Sequence, residues 1–434
     1  MEQNEKGLLT DGWVNVLAGL GKLQDKSVQT EFGHFEKLLD DQLTAMYLAD
    51  GIGRKIVDVV ADDMTRQWIE VENDPEEKIK KQLSELGAEE NFNEALKWNR
   101  LYGGSIIIFG IMDGKALEKP VNLNAVQGVE WLYVTDRTKV FIETSEFDTD
   151  PKSKTFGQIQ QYDVEFNFAS GQDIKGSLFS SAGNRRKVHA SRVVSFFGES
   201  VPRSASGIDS TLRYWGSSVI QIIWEKLRDY GGVTQSIVNL MYELIIGVFS
   251  FEGLADMLAQ GNEAQVINRM EIINMTKSII NAVLLGENEK FDRNSASLTG
   301  VPEIIDRFMM NLSAVANIPV TKLFGRSPAG QNATGESDMT NYYDGVKSDQ
   351  KNKLLKPLQK LVNLIAMDEE EHQVVFNPLV QMTEKEIAEI EKLESESYNT
   401  KATGDKTYIE MGVLTSEEVT EQRFPDTMEL EDAE

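Results

Sequence analysis

The sequence predicts an α+β, mainly helical fold carrying one small mixed sheet. Three observations predict it: long stretches whose apolar residues recur every three or four positions, a middle section of short β-rich runs cut by turn residues, and a glycine-rich stretch between two helical ones. Of the 434 residues, 41% are apolar and 26% charged, a balance typical of folded protein. At roughly 150 residues per domain, two or three units are expected.

Between Phe35 and Trp68, Leu38, Leu39, Leu43, Met46, Ile52, Ile56, Val59 and Val60 recur at helical spacing, and Asp50-Gly51 interrupts them, so two helices are expected. A second helical stretch runs from Pro75 to Asn99 through Ile79, Leu83, Leu86, Phe92, Ala95, Leu96 and Trp98, with a break at Gly87 and an end at Tyr102-Gly103-Gly104. Ser105 to Ile111 is too short for an ordinary helix and rich in Ile, which predicts a buried strand. Further strands are expected at Val129 to Val134, Val140 to Ile142, Ile159 to Asn167 and Val188 to Phe197, separated by Asp, Gly, Ser and Pro clusters.

After Ser200-Val201-Pro202, apolar residues from Trp215 to Ile245 step by three or four and predict one long helix. Gly231-Gly232 inside it predicts a kink or a close helix contact, since each glycine costs about 1 kcal/mol relative to alanine. Phe249 to Val301 is irregular, with a helical pattern at Met270 to Ile280 and a candidate strand after Gly286-Glu287-Asn288-Glu289. A second helix is expected from Pro302 to Ala316, stopped by Ile318-Pro319 and followed by a flexible loop holding Gly325, Pro328, Gly330 and Gly335. Asp338 to Ile365 is again helical, with a kink expected at Pro357, and a last helix, Thr383 to Tyr398, opens on the capping box Thr383-Glu384-Lys385-Glu386.

Charge and composition exclude several functions. Seventy acidic against 44 basic residues give a formal charge of −26; Thr383 to Glu434, with 16 acidic and five basic, carries −11 of it. Such a surface repels polyphosphate over most of its area and disfavours tight DNA binding. With no cysteine, disulfides, thiolate metal sites and cysteine nucleophiles are excluded. Met1-Glu2-Gln3-Asn4-Glu5-Lys6 lacks the basic and apolar regions of a leader, and Ile237 to Phe251, broken by Asn239 and Glu243, falls short of the roughly 20 residues of a membrane crossing. A soluble chain with no membrane partner is expected.

No catalytic centre emerges from the motifs. A Gly-x-x-x-x-Gly-Lys-Ser/Thr phosphate loop is absent, and Gly51-Ile52-Gly53 fails as a dinucleotide fingerprint because Ile56 occupies the third glycine position. The three histidines, His34, His189 and His372, have no metal-binding spacing. His189-Ala190-Ser191 is one copy of a His-x-Ser/Thr element whose use by a phosphodiesterase requires a second copy, as acid and base. Glu369-Glu370-Glu371-His372 and Asp148 with Asp150 read as solvated charge rather than a cation site, and Arg185-Arg186-Lys187 as a surface turn. Gly198-Glu199-Ser200 lacks the second glycine of a nucleophile elbow. A binding or structural role, without enzyme activity, metal or cofactor, is expected.

Separated segments of the chain resemble the portal proteins of tailed bacteriophages. These are Tyr102-Gly103-Gly104-Ser105, Val188-His189-Ala190-Ser191-Arg192-Val193, Ile318 to Gly325 followed by Ser327 to Glu336 and the Tyr342-Tyr343 helix, and Tyr408 to Val419. The resemblance covers residues 30 to 425 and implies a portal-like architecture: an arm at 1–30, a wing at 31–209, a stem helix at 210–248, a clip at 249–301, a second stem helix at 302–317, a tunnel loop at 318–337, a wing helix at 338–382 and a short, helical, acidic crown at 383–434. It further implies a ring, usually of twelve subunits, in the virion at one capsid vertex, assembled in the host cytoplasm. Double-stranded DNA would be packaged and ejected through it, with terminase, capsid or scaffold protein and a head-tail adaptor as partners. The expected DNA-facing residues are Lys322 and Arg326, with Gln331, Asn332 and Thr334 as polar neighbours. They are few because each phosphate neutralised deepens affinity and slows passage. The competing readings are an acidic structural adaptor that never touches DNA and a phosphodiesterase using His189.

Overall fold

The break expected at Asp50-Gly51 is a helix cap. In the computed structural model α1 (Asp40–Ala49) ends and α2 (Gly51–Thr65) begins there, with the Asp50 carboxylate accepting from the N–H groups of Ile52 and Gly53 at 2.8 Å. The structure describes residues 37–74, 76–143, 146–166, 185–243, 247–250, 264, 267–268, 271, 290–293, 300–326, 335–367, 372–380 and 384–411. The arm at 1–30, most of 249–301, Gln331, Asn332, Thr334, Thr383 and the stretch after Met411 lie outside the described residues. The chain divides after Phe376 into two units.

In the first unit, α2 buries Ile56, Val57, Val60, Ala61 and Met64. β1 (Ile69–Val71) follows, then α3 (Lys78–Glu85) and α4 (Ala88–Tyr102), parted by Gly87 at φ +56° as expected. Gly103 ends α4 at φ +84°, and a Cβ added to it would lie 2.3 Å from the carbonyl oxygen of Gly216, so both the conformation and the close approach require glycine.

β2 (Gly104–Ile111) is buried at all eight positions, which is why its sequence is a continuous apolar run instead of an alternating one. After it come β3 (Val129–Asp136), β4 (Val140–Phe141), β5 (Gln161–Glu165), β6 (Arg185–His189) and β7 (Val193–Phe197). α4 covers one face of β2's sheet, where Phe92 meets Phe196 edge-on at 6.0 Å. On the other face Ile106 and Ile108 join a core with Val140, Tyr162, Val164, Val188 and Trp215.

The α+β, mainly helical class is as expected, while the sheet differs in detail. It is two three-stranded sheets, β3-β2-β7 and β4-β5-β6, and every described pairing in them is antiparallel. Val188 to Phe197 is two strands, one in each sheet, because His189 caps a 3₁₀ turn at Ala190–Arg192 that carries the chain from one sheet to the other. Apolar periodicity marks a strand but not its sheet.

α5 (Val219–Glu243), 25 residues and about 37 Å long, starts after Trp215, which packs against Gly104 instead of joining the helix. Ile220, Ile223 and Leu227 bury its first half, whereas no residue from Gly231 to Met241 is buried. The helix runs unbroken through Gly231 and Gly232, and a Cβ on either would meet nothing within 4 Å. The close contact expected there is absent among the described residues.

β8 (Gly247–Ser250) pairs antiparallel with β9 (Lys290–Arg293), the strand anticipated after the Gly286 turn, and so closes a long excursion. α6 (Val301–Ala316) has Pro302 in its first turn and packs back along α5. Past Asn317 and Ile318-Pro319, the segment read as loop opens with a short helix, α7 (Val320–Phe324). α8 (Glu336–Asp349) and α9 (Leu355–Ala366) are joined by a π-helical turn at Gln350–Leu354. The irregularity expected at Pro357 therefore sits upstream, where the widened turn relieves the crowding of a proline ring against the carbonyl four residues back, that of Lys353. β10 (Val374–Phe376) pairs with β1, strapping the end of the unit to its beginning.

The second unit, Asn377–Glu434, contains α10 (Glu384–Glu410), which continues well past the expected end at Tyr398. Its exposed surface carries the pairs Lys392–Glu396 and Lys406–Glu410, each at 3.8 Å.

Candidate nucleic-acid interface

The glycine-rich loop is rooted between the two long helices. Its first root is α7, whose Phe324 packs on Tyr230 of α5 at 5.6 Å, and which ends at Gly325 with φ +69°. Its second root is Gly335, at φ +62°, immediately before α8. Of the expected DNA-facing residues, the structure places Lys322 and Arg326 at the first root, while Gln331, Asn332 and Thr334 lie outside the described residues.

Both cations at the root have acidic partners. Lys322 Nζ donates to Asp63 Oδ1 of α2 at 2.9 Å, and Asp63 Oδ2 accepts from the buried Tyr342 hydroxyl at 2.7 Å. Burial, reinforced by the bond to the Asp63 carboxylate and its charge, pushes the Tyr342 hydroxyl's pKa well above its ordinary value, so it remains a donor. Lys322 also lies 5.7 Å from the Tyr343 ring centre. Arg326 pairs with Asp306 of α6 but keeps more than half its side-chain surface exposed. Asp63 and Asp306 sit at helical positions that carry no motif, and pairings 259 and 20 residues apart leave no periodic trace in the sequence.

The His189-Ala190-Ser191-Arg192 segment is a structural clasp. His189 Nδ1 accepts from the Ser191 N–H at 3.1 Å, and Ser191 Oγ accepts from the Val121 N–H at 3.0 Å. Arg192, fully buried, donates to Asp113 Oδ2 at 2.7 Å and to the Lys119 carbonyl at 2.9 Å. Burial lowers the His189 pKa, with the charges of Arg192 and Lys360 adding to it, which favours the neutral ring. The side chain is engaged in capping a turn and has no second histidine beside it at hydrogen-bond distance among the described residues. Among the described residues no group of three His, Asp or Glu is placed to hold a metal, and Asp148 instead accepts from Thr155 and the Asp150 N–H within its own turn.

One feature escaped the sequence reading. Lys347, Lys351, Lys353, Lys356 and Lys360 fall within 14 residues that contain a single acid, Asp349. Gaps of two to four residues were the available signal, but the lysines are interspersed with polar and apolar residues and look like an ordinary solvated helix face. A groove of about 820 Å³ between α6, α8 and the start of α5 has mixed charge instead, with Arg100, Glu199, Asp349 and Lys353 on its walls.

Residues 41–400 match the phage portal protein family. The chain belongs to that family. Its curated relatives include two proteins named anti-CBASS protein Acb1, from Caulobacter sp. (strain RHG1), 30% identical over 89% of this chain and 62% of the relative, and from Sphingomonas paeninsulae, 28% identical over 93% and 64%. This portal protein thus spans less than two thirds of the length of those relatives. An uncharacterized protein of Haemophilus influenzae (strain ATCC 51907 / DSM 11121 / KW20 / Rd) is 25% identical over 94% of this chain and 89% of its own. Among solved structures, the fold is similar to a chain in the neck of the empty gene transfer agent particle computed with C6 symmetry, with a TM-score of 0.52 at 12% identity, covering 88% of this chain and 95% of that one. It is likewise similar to a chain in the neck of the native particle computed with C12 symmetry, with a TM-score of 0.50 at 12% identity over 82% and 88%. No described helix is long and apolar enough to cross a membrane.

Proposed function

We propose that this portal protein forms a closed ring of twelve copies at one vertex of a phage or phage-like head, and that double-stranded DNA is packaged and ejected through its bore. The observation that carries the reading is the family match over 41–400, on a fold also similar to a neck component computed with C12 symmetry. In this assignment α5 and α6 are the stem, the β8–β9 ribbon is the root of the clip, 318–337 is the tunnel loop, α8 and α9 belong to the wing, and the residues after 383 form a short acidic crown. Terminase, capsid or scaffold protein and a head-tail adaptor are its partners, and it resides in the virion after assembly in the host cytoplasm.

The electrostatics support passage rather than retention. Attachment to DNA strengthens with every phosphate neutralised, so a wall of net negative charge with few free cations lets the duplex slide. With Lys322 neutralised by Asp63, the exposed Arg326 and the polar Gln331, Asn332 and Thr334 are the groups left to centre it. Electron microscopy of the purified full chain is expected to show closed rings, and photocrosslinkers at Arg326 and Thr334 to capture DNA in packaged particles; a chain that remains monomeric at every concentration would refute the reading. Assembled heads with no crosslinks would instead favour the acidic adaptor, a reading that the pairing of both root cations makes worth testing.

The portal family is a structural one, and no hydrolysis is assigned to this chain. Phosphodiester cleavage of bis(p-nitrophenyl) phosphate is expected to be no greater for the protein than for His189→Ala; activity lost specifically in that variant would revive the phosphodiesterase reading.

A further inference from the structure

A second cavity, of about 400 Å³, lies between β7 and α9, and its charged lining is wholly basic. Lys353, Lys356 and Lys360 line it, and no Asp or Glu does, in a chain where acids outnumber bases 70 to 44. Lys356 and Lys360, four residues apart on α9, are neighbours on one helix face, Lys353 of the π-helical turn lines the same cavity, and such like charges repel each other unless an anion lies among them. Lys353 shares its charge with Asp349 at 3.3 Å and Glu199 at 3.8 Å. Lys356 and Lys360 have no acidic partner among the described residues.

Two further groups face this cavity. β7 is the outer strand of its sheet, and its Val193 carbonyl accepts from Lys360 Nζ at 2.9 Å. Because backbone groups alternate along a strand, the Ser195 N–H points to the same open edge, as a donor for a ligand oxygen. Asn99, also on the lining, is 2% exposed, and its Oδ1 has no hydrogen-bond partner among the described residues. A buried acceptor in that state is satisfied only by an incoming N–H or O–H.

We propose that this cavity binds a small phosphate-bearing anion, its phosphoryl oxygens held by Lys356, Lys360 and the β7 edge, and a hydroxyl or amino group of the same molecule by Asn99. Ammonium and backbone N–H donors suit a phosphoryl group, and the volume falls within the roughly 300–1,000 Å³ of small-ligand sites, enough for a mononucleotide. Burial without a counter-charge pulls the Lys360 pKa down to about 8, a cost that a bound anion would offset.

The test is isothermal titration calorimetry on the full chain at low salt, with inorganic pyrophosphate and AMP as probes. One saturable site per chain is expected, weakened about tenfold by Lys356→Gln, the loss of one charge-assisted bond, and unaffected by Arg186→Gln in the basic run on β6. Lys356 is exposed, so its variant keeps the fold, which circular dichroism verifies. Absence of saturable binding, or equal weakening by both variants, would overturn the proposal. A short duplex that displaces pyrophosphate, with the same sensitivity to Lys356→Gln, would identify the bound phosphate as that of the DNA backbone; failure to displace it would identify a free ligand.

Discussion

Lys322 and Asp63, 259 positions apart, form an ion pair of 2.9 Å that fastens the root of the glycine-rich loop to the helix at the centre of the core. Asp63 is only 4% exposed and has Tyr342 as a further partner, so the carboxylate is held by charge and by hydrogen bond together. The position of α7 is thereby coupled to core stability.

Removing a member of this trio leaves a buried polar group unmatched. Tyr342→Phe and Asp63→Asn are each expected to lower stability by about 1–3 kcal/mol in urea unfolding. The double variant should lose less than the sum by about 1 kcal/mol, because the two side chains share one bond; additivity within about 0.3 kcal/mol would show that they do not interact.

Arg192 and Asp113 are fully buried with their ion pair at 2.7 Å. Burial alone would raise the Asp113 pKa, but the N–H groups of Asn122 and Lys115 and the guanidinium of Arg192 outweigh it and hold it below the carboxylate range. Arg192→Met is expected to destabilise by about 3–5 kcal/mol, and Arg192→Met with Asp113→Leu by clearly less, since a lone buried charge is worse than none. A depressed carboxylate contributes stability above its unfolded pKa that is lost as pH falls through the folded one, so the wild type should unfold on acidification with a slope that the double variant lacks.

His189 titrates in the opposite chemical sense but with the same direction in pH. Its folded pKa lies below the ordinary 6.5, so between the two values the unfolded chain binds more protons and stability rises with pH. Chemical denaturation from pH 5 to pH 8 is expected to show that rise in the wild type and a flatter dependence in His189→Ala. Identical slopes would place the acid-side loss elsewhere.

Lys360 should shape the alkaline side. Its pKa falls from 10.5 unfolded to about 8 folded, so the penalty for burying its charge is fully present below pH 8 and disappears as pH rises towards the unfolded value. Lys360→Met is therefore expected to gain stability relative to wild type at pH 7, and the difference to shrink by pH 10. Lys353 and Lys356 line the same cavity as Lys360, and His189 interacts with it electrostatically, so these neighbours add no negative charge. A constant difference across that range would show that Lys360 keeps its proton when folded.

The positions of α1 to α4, the buried strand Gly104–Ile111 and the stops at Asp50, Gly87 and Gly103 were determined by the sequence itself, because caps, left-handed glycines and apolar spacing act within a few residues. The family was also legible, through short segments spread along the chain. Tertiary structure alone decided what depends on distant partners. It split Val188 to Phe197 between two sheets, moved the helix irregularity from Pro357 to Gln350–Leu354, and tied Lys322 to Asp63. It also placed Lys353 of the π-helical turn and Lys356 and Lys360 of α9 around a cavity at the open edge of β7. Local energies set which residues are helical or extended, but long-range pairing is settled only when packing brings together charges and strand edges that the chain order keeps apart.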